Sequence, residues 1–170
     1  MCILKSFAKT INAFIAGTAV GTILGIYVCV HFEIVRKPYF GNDDLKGIAW
    51  EIARHHHIEV SLLFAIVQQE SKWNPKALSP KGAIGLMQIM PATGRDFCGL
   101  TEQQLLIPRL NLECGTAYFA KQLKTFGSVR LALCAYNAGP TRVRKLGKCP
   151  PFEETTQYVY NILKNWNGGE

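Results

Sequence analysis

Apolar residues recur every three or four positions along most of this chain, and this spacing predicts amphipathic helices. One helix begins after the acidic stretch 42–44, and the next covers residues 59–69 with Leu62, Leu63 and Ile66 on one face. The helical pattern returns in five later segments: 92–98, 101–107, 111–126, 129–136 and 155–166. Pro108 is expected to end the second of these. No segment shows the convincing alternation of apolar and polar residues that is typical of a strand, so we expect a mostly α-helical body.

Residues 11–32 show a different pattern, because they are almost uniformly apolar and carry no charged side chain. A helix of that length reaches about 33 Å, which is enough to cross the hydrocarbon core of a bilayer. Gly17, Gly21 and Gly25 give it a face of small residues that suits contact with another helix. We therefore expect residues 1–37 to form a single-pass membrane anchor, 38–42 a linker, and 43–170 a separate domain.

Two other interpretations of this segment fit less well. A cleaved signal peptide would have a shorter apolar run that ends at a small-x-small site, whereas here the apolar residues continue to Phe32. A lipoprotein site would place a small residue before Cys29, where Val28 stands. An uncleaved anchor is therefore the favoured interpretation.

Charge and cysteine content narrow the possible partners. The chain has 19 basic and 12 acidic residues, a net charge of +7, without runs of like charge, so a nucleic-acid partner is not expected. Its six cysteines form no C-x-x-C pair, and the consecutive positions 55–57 do not let three histidines share one ion easily. We expect no metal and no cofactor. We expect at least one disulfide among four cysteines: Cys98, Cys114, Cys134 and Cys149.

The stretch that carries the chemistry runs from Glu70 to Thr93. Glu70 follows the apolar face of the predicted helix 59–69, so a carboxylate reaches the edge of a core. The prolines and glycines of residues 75–85 then predict a loop that returns beside it. The return segment, residues 86–90, is apolar except for Gln88. These features predict a cleft wall with one carboxyl group next to apolar side chains.

This stretch reads E-S-x-W-N-P-x-A-x-S-x-x-G-A-x-G-L-M-Q-I-M-P-x-T, and it resembles the signature of the soluble-lytic-transglycosylase-like domain, a lysozyme-related family. The resemblance continues in Asn111-Leu112, in A-Y-N-A-G-P at 135–140 and in residues 151–159, and it extends over roughly residues 43–166. It implies a lysozyme-like helical domain that cleaves peptidoglycan glycan strands. The product would be a 1,6-anhydromuramyl end, formed without water.

The resemblance also implies roles for individual residues. Glu70 would be the catalytic acid and then base, and the substrate-binding residues would be Ser79, Gln88, Tyr136, Asn137 and Tyr158. The hydroxyl of Tyr158 would approach Glu70. The next acids after Glu70 are Asp96, Glu102 and Glu113, and no second catalytic carboxylate is expected among them. A raised pKa of Glu70 would follow from apolar surroundings.

Three alternatives stay open. A hydrolytic muramidase on the same fold would need a second carboxylate near Glu70, such as Asp96 or Glu113. A phage-type endolysin would release its N-terminal helix from the membrane. A wall-binding protein would keep the fold without turnover. Since peptidoglycan lies outside the cytoplasmic membrane, we expect an inner-membrane protein with its domain in the periplasm.

Overall fold

The computed structural model describes residues 44–166, and this part of the chain is mostly α-helical, as the sequence predicts. The longer helices are α1 (Leu45–His55), α2 (Val60–Ser71), α5 (Pro108–Phe126), α6 (Val129–Ala138), α7 (Pro140–Leu146) and α8 (Glu153–Asn165). Two short helices, α3 (Pro91–Thr93) and α4 (Glu102–Leu105), flank a π-helical turn at Gly94–Cys98. The loop between α2 and α3 contains two isolated antiparallel bridges, Leu78 to Ile84 and Ile84 to Ile89.

The predicted anchor at 11–32, the linker at 38–42 and the first residue of the predicted domain lie outside the described residues. Within residues 44–166, no helix is both long enough and apolar enough to cross a membrane.

The two main differences from the predicted helices occur at prolines. The long helix α5 begins at Pro108 and not at Asn111, and α7, which begins at Pro140, was not predicted. Proline was expected to interrupt the apolar run at 108 and to end a helix at 140. In the structure it occupies the first turn of a helix, where its fixed φ is suitable and its missing N–H is not needed.

The core is formed by the apolar faces that the helical spacing predicted. Leu63, Ile66 and Val67 of α2 are fully buried, as are Leu112 and Phe119 of α5. Helix α6 packs against α5, α7 and α8, and α2 packs against α1 and α8. This arrangement surrounds the end of α2 with the loop 72–90, α6 and α8.

Two disulfides confirm the expectation of at least one bridge. Cys98 is bonded to Cys114, which ties the π-helical turn to α5, and Cys134 is bonded to Cys149, which ties α6 to the segment before α8. The cysteine spacing had left three connectivities open. The packing of the helices selects this one.

The histidine run 55–57 differs from the solvated helix end that the sequence suggested. His56 is partly buried, and its Nε2 lies 2.6 Å from Glu113 Oε1 on α5. His55 and His57 are exposed. The sequence argument considered one helix by itself, and it could not include a carboxylate from a helix that begins fifty residues later.

Candidate active site

Glu70 lies in the last turn of α2, where it is held by the burial of the helix face before it. Ile66 and Val67 are fully buried, so the end of the helix is fixed against the core. Lys72 and Trp73 then adopt positive φ angles of 52° and 65°, which turn the chain sharply away from the helix axis. Trp73 packs against Phe64 in an edge-on contact with ring centroids 5.1 Å apart. The helix therefore ends directly behind the carboxyl group.

The loop that returns beside Glu70 is held from within the core by Asn111. This side chain is 1% exposed, and it accepts a hydrogen bond from Met87 N at 2.8 Å. Its amide nitrogen donates to Ile84 O and to Leu105 O, both at 2.8 Å. The bonds to Met87 and Ile84 fix both sides of the loop bend, and the bond to Leu105 ties Asn111 to α4. Asn111 was part of the resemblance, but the sequence suggested no role for it.

Two glycines allow this close approach of the loop to α5. A Cβ at Gly85 would lie 2.4 Å from Asn111 Nδ2, and Gly85 also has a φ of 77°. A Cβ at Gly115 would lie 2.5 Å from Met87 Sδ and 2.6 Å from Met87 Cβ. Larger residues at either position would push the loop away from α5.

Tyr158 of α8 is buried next to Glu70. Its hydroxyl donates a hydrogen bond of 2.6 Å to Glu70 Oε1. Burial raises the pKa of Glu70 from its ordinary 4.5 to about 7, although the hydrogen bond from Tyr158 opposes the shift by favouring the carboxylate. Near neutral pH the side chain is therefore present in both protonation states, as an acid and then base requires.

Tyr136 of α6 is the second tyrosine at this carboxyl group. Its hydroxyl donates to Met87 O at 2.9 Å, which fixes the ring against the loop. Burial, followed by the proximity of Glu70 and of Tyr118, raises the pKa of Tyr136 well above 10. Burial and Glu70 do the same for the pKa of Tyr158. Both phenols therefore stay protonated and act as hydrogen-bond donors.

Ser79, Gln88 and Asn137 line the same cleft, and each has a contact that fixes its position. Ser79 Oγ accepts from Ala83 N at 2.9 Å, so it closes the turn. Gln88 Nε2 donates to Gly85 O at 2.9 Å and to Ala77 O at 3.2 Å. Asn137 Oδ1 accepts from Thr155 Oγ1 at 2.7 Å. Thr155 is buried, and the sequence analysis did not identify it.

These residues form a cleft with a volume of about 330 Å³, and five of the six predicted site residues line it: Glu70, Ser79, Gln88, Tyr136 and Asn137. The sixth, Tyr158, contacts Glu70 from behind and is buried. A second depression of about 270 Å³ shares four of the lining residues and extends past Tyr118 and Gly139. The two depressions therefore adjoin, and a cleft that continues in this way suits a linear polymer.

The sequence analysis overlooked one carboxylate in this cleft. Glu154 lines it and pairs with Lys81 across it at 2.8 Å; both side chains are largely exposed. It lies within the matched stretch 151–159, although the sequence analysis counted only Asp96, Glu102 and Glu113. Asp96 pairs with Arg95, and Glu113 with His56. Glu154 is therefore the carboxylate that shares the cleft with Glu70.

Residues 48–159 match the family model described as the transglycosylase SLT domain. The soluble lytic murein transglycosylase of Salmonella typhimurium is 43% identical, over 65% of this chain and 20% of the relative. Membrane-bound lytic murein transglycosylase C of Haemophilus ducreyi is 38% identical, over 70% of this chain and 35% of the relative. The chain thus spans a fifth to about a third of these relatives' lengths.

Solved structures show the same similarity. An X-ray structure of an inactive mutant of lytic transglycosylase Slt from Pseudomonas aeruginosa matches with a TM-score of 0.63 and 37% identity. The match covers 71% of this chain and 23% of that one. The similarity therefore concerns one domain of a longer protein.

Proposed function

This chain belongs to the transglycosylase SLT domain family, within the lysozyme-like superfamily, and from that premise we propose that it is a peptidoglycan lytic transglycosylase. Its substrate is the β-1,4 bond between N-acetylmuramic acid and N-acetylglucosamine. The observation that carries the proposal is the carboxyl group of Glu70, whose pKa burial raises to about 7 and which lines the cleft.

In the first step, protonated Glu70 donates its proton to the glycosidic oxygen, and the bond from that oxygen to the muramyl C1 breaks. The substrate's acetamido group stabilises the cationic centre at C1. In the second step, the muramyl 6-hydroxyl oxygen bonds to C1 and gives its proton to the Glu70 carboxylate. The proton is returned, no water is consumed, and the product ends in a 1,6-anhydromuramyl residue.

The residues around Glu70 support this cycle. The hydrogen bond that the Tyr158 hydroxyl donates stabilises the Glu70 carboxylate that exists between the two steps. Gln88 has its amide nitrogen engaged by the loop, so its carbonyl oxygen is suited to accept a hydrogen bond from a sugar hydroxyl. Ser79, Tyr136 and Asn137 occupy the walls where the sugar rings bind.

We also propose that the protein acts in the periplasm, held in the inner membrane by a single helix at residues 11–32. The apolar segment is long enough to span a bilayer, and two disulfides suit an oxidising compartment. A relative is named as membrane-bound. The glycan strands are the partner of the domain, and the bilayer is the partner of the helix.

Mass spectrometry of digested peptidoglycan tests the reaction. The full chain should release muropeptides with anhydromuramyl ends, whereas a hydrolase would release reducing ends that are heavier by one water. Glu70→Gln should lower turnover by at least about 10²-fold, the lower bound for a general acid-base group. A parent enzyme that yields reducing ends, or an active Glu70→Gln variant, contradicts the proposal.

Glu154→Gln is the matched control, because it removes a carboxylate from the same cleft. It should keep the anhydro products, since Glu154 is paired with Lys81 and largely exposed. Loss of activity in Glu154→Gln together with reducing-end products in the parent would identify the muramidase alternative, with Glu154 as its second carboxylate.

A further inference from the structure

A cluster of metal-binding side chains lies apart from the cleft residues, where α1 meets α5. It consists of His55, His56 and Glu113. The ligand atoms of the three side chains all lie within 4.8 Å of one another. His56 and Glu113 are partly buried, and His55 is exposed. The cluster therefore has two partly buried members and one exposed member, whose ring contacts the His56 ring edge-on with the centroids 5.0 Å apart.

Two imidazoles and one carboxylate are a donor set that suits Zn²⁺. With bonds of about 2.0–2.1 Å, tetrahedral Zn²⁺ places its ligand atoms about 3.3 Å apart. His56 Nε2 and Glu113 Oε1 are 2.6 Å apart, so they need to separate slightly. The His55 ligand atom lies within 4.8 Å of the other two, so a rotation of its exposed side chain would have to close the remaining distance. Water would complete the fourth position.

The backbone around the cluster is already held in place. Cys114, next to Glu113, is bonded to Cys98, which fixes this turn of α5. One turn earlier on each helix, Arg109 pairs with Glu51 at 2.7 Å. The nearest arginine on α5 therefore has its charge compensated by a carboxylate on α1. The ion pair joins the two helices while the ion binds, and the disulfide anchors α5 to the π-helical turn.

We propose that His55, His56 and Glu113 form a binding site for one Zn²⁺ ion, which joins the end of α1 to α5. The site is separate from the glycosidic chemistry, and the ion stabilises the folded chain because the unfolded chain does not bring the three ligands together. The sequence analysis expected no metal at the histidine run, because consecutive residues on a helix point in different directions. The carboxylate from α5 changes that conclusion.

Zinc titration of the full chain, purified in mild detergent and stripped with EDTA, tests the site. ZnCl₂ should bind at one ion per chain and raise the thermal midpoint. Loss of a supporting group typically weakens a metal site by ~10–100-fold, so His55→Ala, His56→Ala and Glu113→Ala should each lose at least about that much affinity. His57→Ala is the matched control, because it removes a neighbouring imidazole that is not part of the cluster, and it should bind normally.

Co²⁺ provides a readout that does not depend on stability. The parent chain should give the visible absorption of tetrahedral Co²⁺, and His56→Ala should not. Circular dichroism without metal, together with lytic activity, confirms that each variant is folded, and neither depends on the zinc site. Equal Zn²⁺ binding by the parent and by His56→Ala, or loss of binding in His57→Ala, overturns the proposal.

Discussion

At the scale of single residues, the decisive feature is a carboxyl group kept away from water. Burial raises the pKa of Glu70 to about 7, and one short hydrogen bond from Tyr158 limits that rise. A fully solvated glutamate would be deprotonated at neutral pH and unable to act as an acid. The burial that makes Glu70 reactive therefore also lowers the stability of the folded chain at neutral pH.

This cost predicts a pH-dependent gain of stability in Glu70→Gln. Below pH 4.5 the carboxyl group is protonated in both the folded and the unfolded chain, so it has no effect. Between pH 4.5 and about 7 the unfolded chain releases the proton first, and the free energy of unfolding of the parent falls. Above pH 7 the full penalty, on the order of 3 kcal/mol for this shift, is present.

Urea denaturation at pH 4 and at pH 8 measures the effect. At pH 8 the free energy of unfolding of Glu70→Gln should exceed that of the parent by on the order of 3 kcal/mol. At pH 4 the two free energies should be equal. The exposed Glu102→Gln variant is the control and should show no such gain. Equal stability of Glu70→Gln and the parent at pH 8 would mean that Glu70 is solvated.

At the scale of elements, Asn111 connects α5 to the loop that carries Gln88. Its three buried bonds satisfy one N–H and two C=O groups of the loop and of α4. A buried polar group left without a partner costs about 1–3 kcal/mol. Asn111→Ala should therefore destabilise the fold by about 3 kcal/mol or more, and it should also lower activity because the loop moves.

Thermal denaturation and the muropeptide assay test this together. The control is Asn74→Ala, which removes an exposed amide whose bond to Lys76 N closes a turn of the same loop. Asn74→Ala should lower the free energy of unfolding by less than about 1 kcal/mol and leave activity intact. If Asn111→Ala costs no more than Asn74→Ala, Asn111 does not hold the loop.

The two disulfides also act between elements. They join cysteines 16 and 15 residues apart, and closing a loop of about 15 residues stabilises a fold by about 3 kcal/mol. Thiol alkylation of the denatured, non-reduced chain should label none of the four bridged cysteines, and labelling after reduction should reach all four. The reduced chain should unfold at lower urea concentration. Any label on a bridged cysteine before reduction would contradict the pairing.

At the scale of the whole molecule, two parts of the chain require different surroundings. Residues 11–32 are apolar and uncharged, whereas the folded domain presents charged side chains to water. The glycines of the apolar segment reduce its hydrophobicity, so the proposed anchor would insert into a bilayer less favourably than a leucine-rich helix. Permanent anchoring and later release are the two possible fates.

We predict permanent anchoring, because bulky apolar residues continue from Ile23 to Phe32. The full chain should stay with carbonate-washed membranes, and a version with a cleavable signal peptide in place of residues 1–37 should be found in the soluble periplasm. If the full chain, with an intact N-terminus, enters the soluble periplasm after collapse of the membrane potential, the segment is a releasable anchor.

The sequence by itself determined the features that depend on neighbours along the chain. The apolar spacing of residues 59–69 predicted the helix that presents Glu70, and the turn-forming residues predicted the returning loop. The motifs, through the resemblance, also identified Tyr158 as the partner of Glu70. The helix predictions at Pro108 and Pro140 were wrong, because proline occurs both after the end of a helix and in the first turn of one. Only the surrounding fold shows which of the two applies.

Only the tertiary structure decided which distant groups meet. Residue spacing does not report that Thr155 orients Asn137, that Glu154 shares the cleft, or that Glu113 reaches His56. The four cysteines of the domain allowed three pairings, and helix packing selected one. The physical reason is that periodicity encodes which face of a helix is buried, whereas the partner of that face depends on how all the helices pack together.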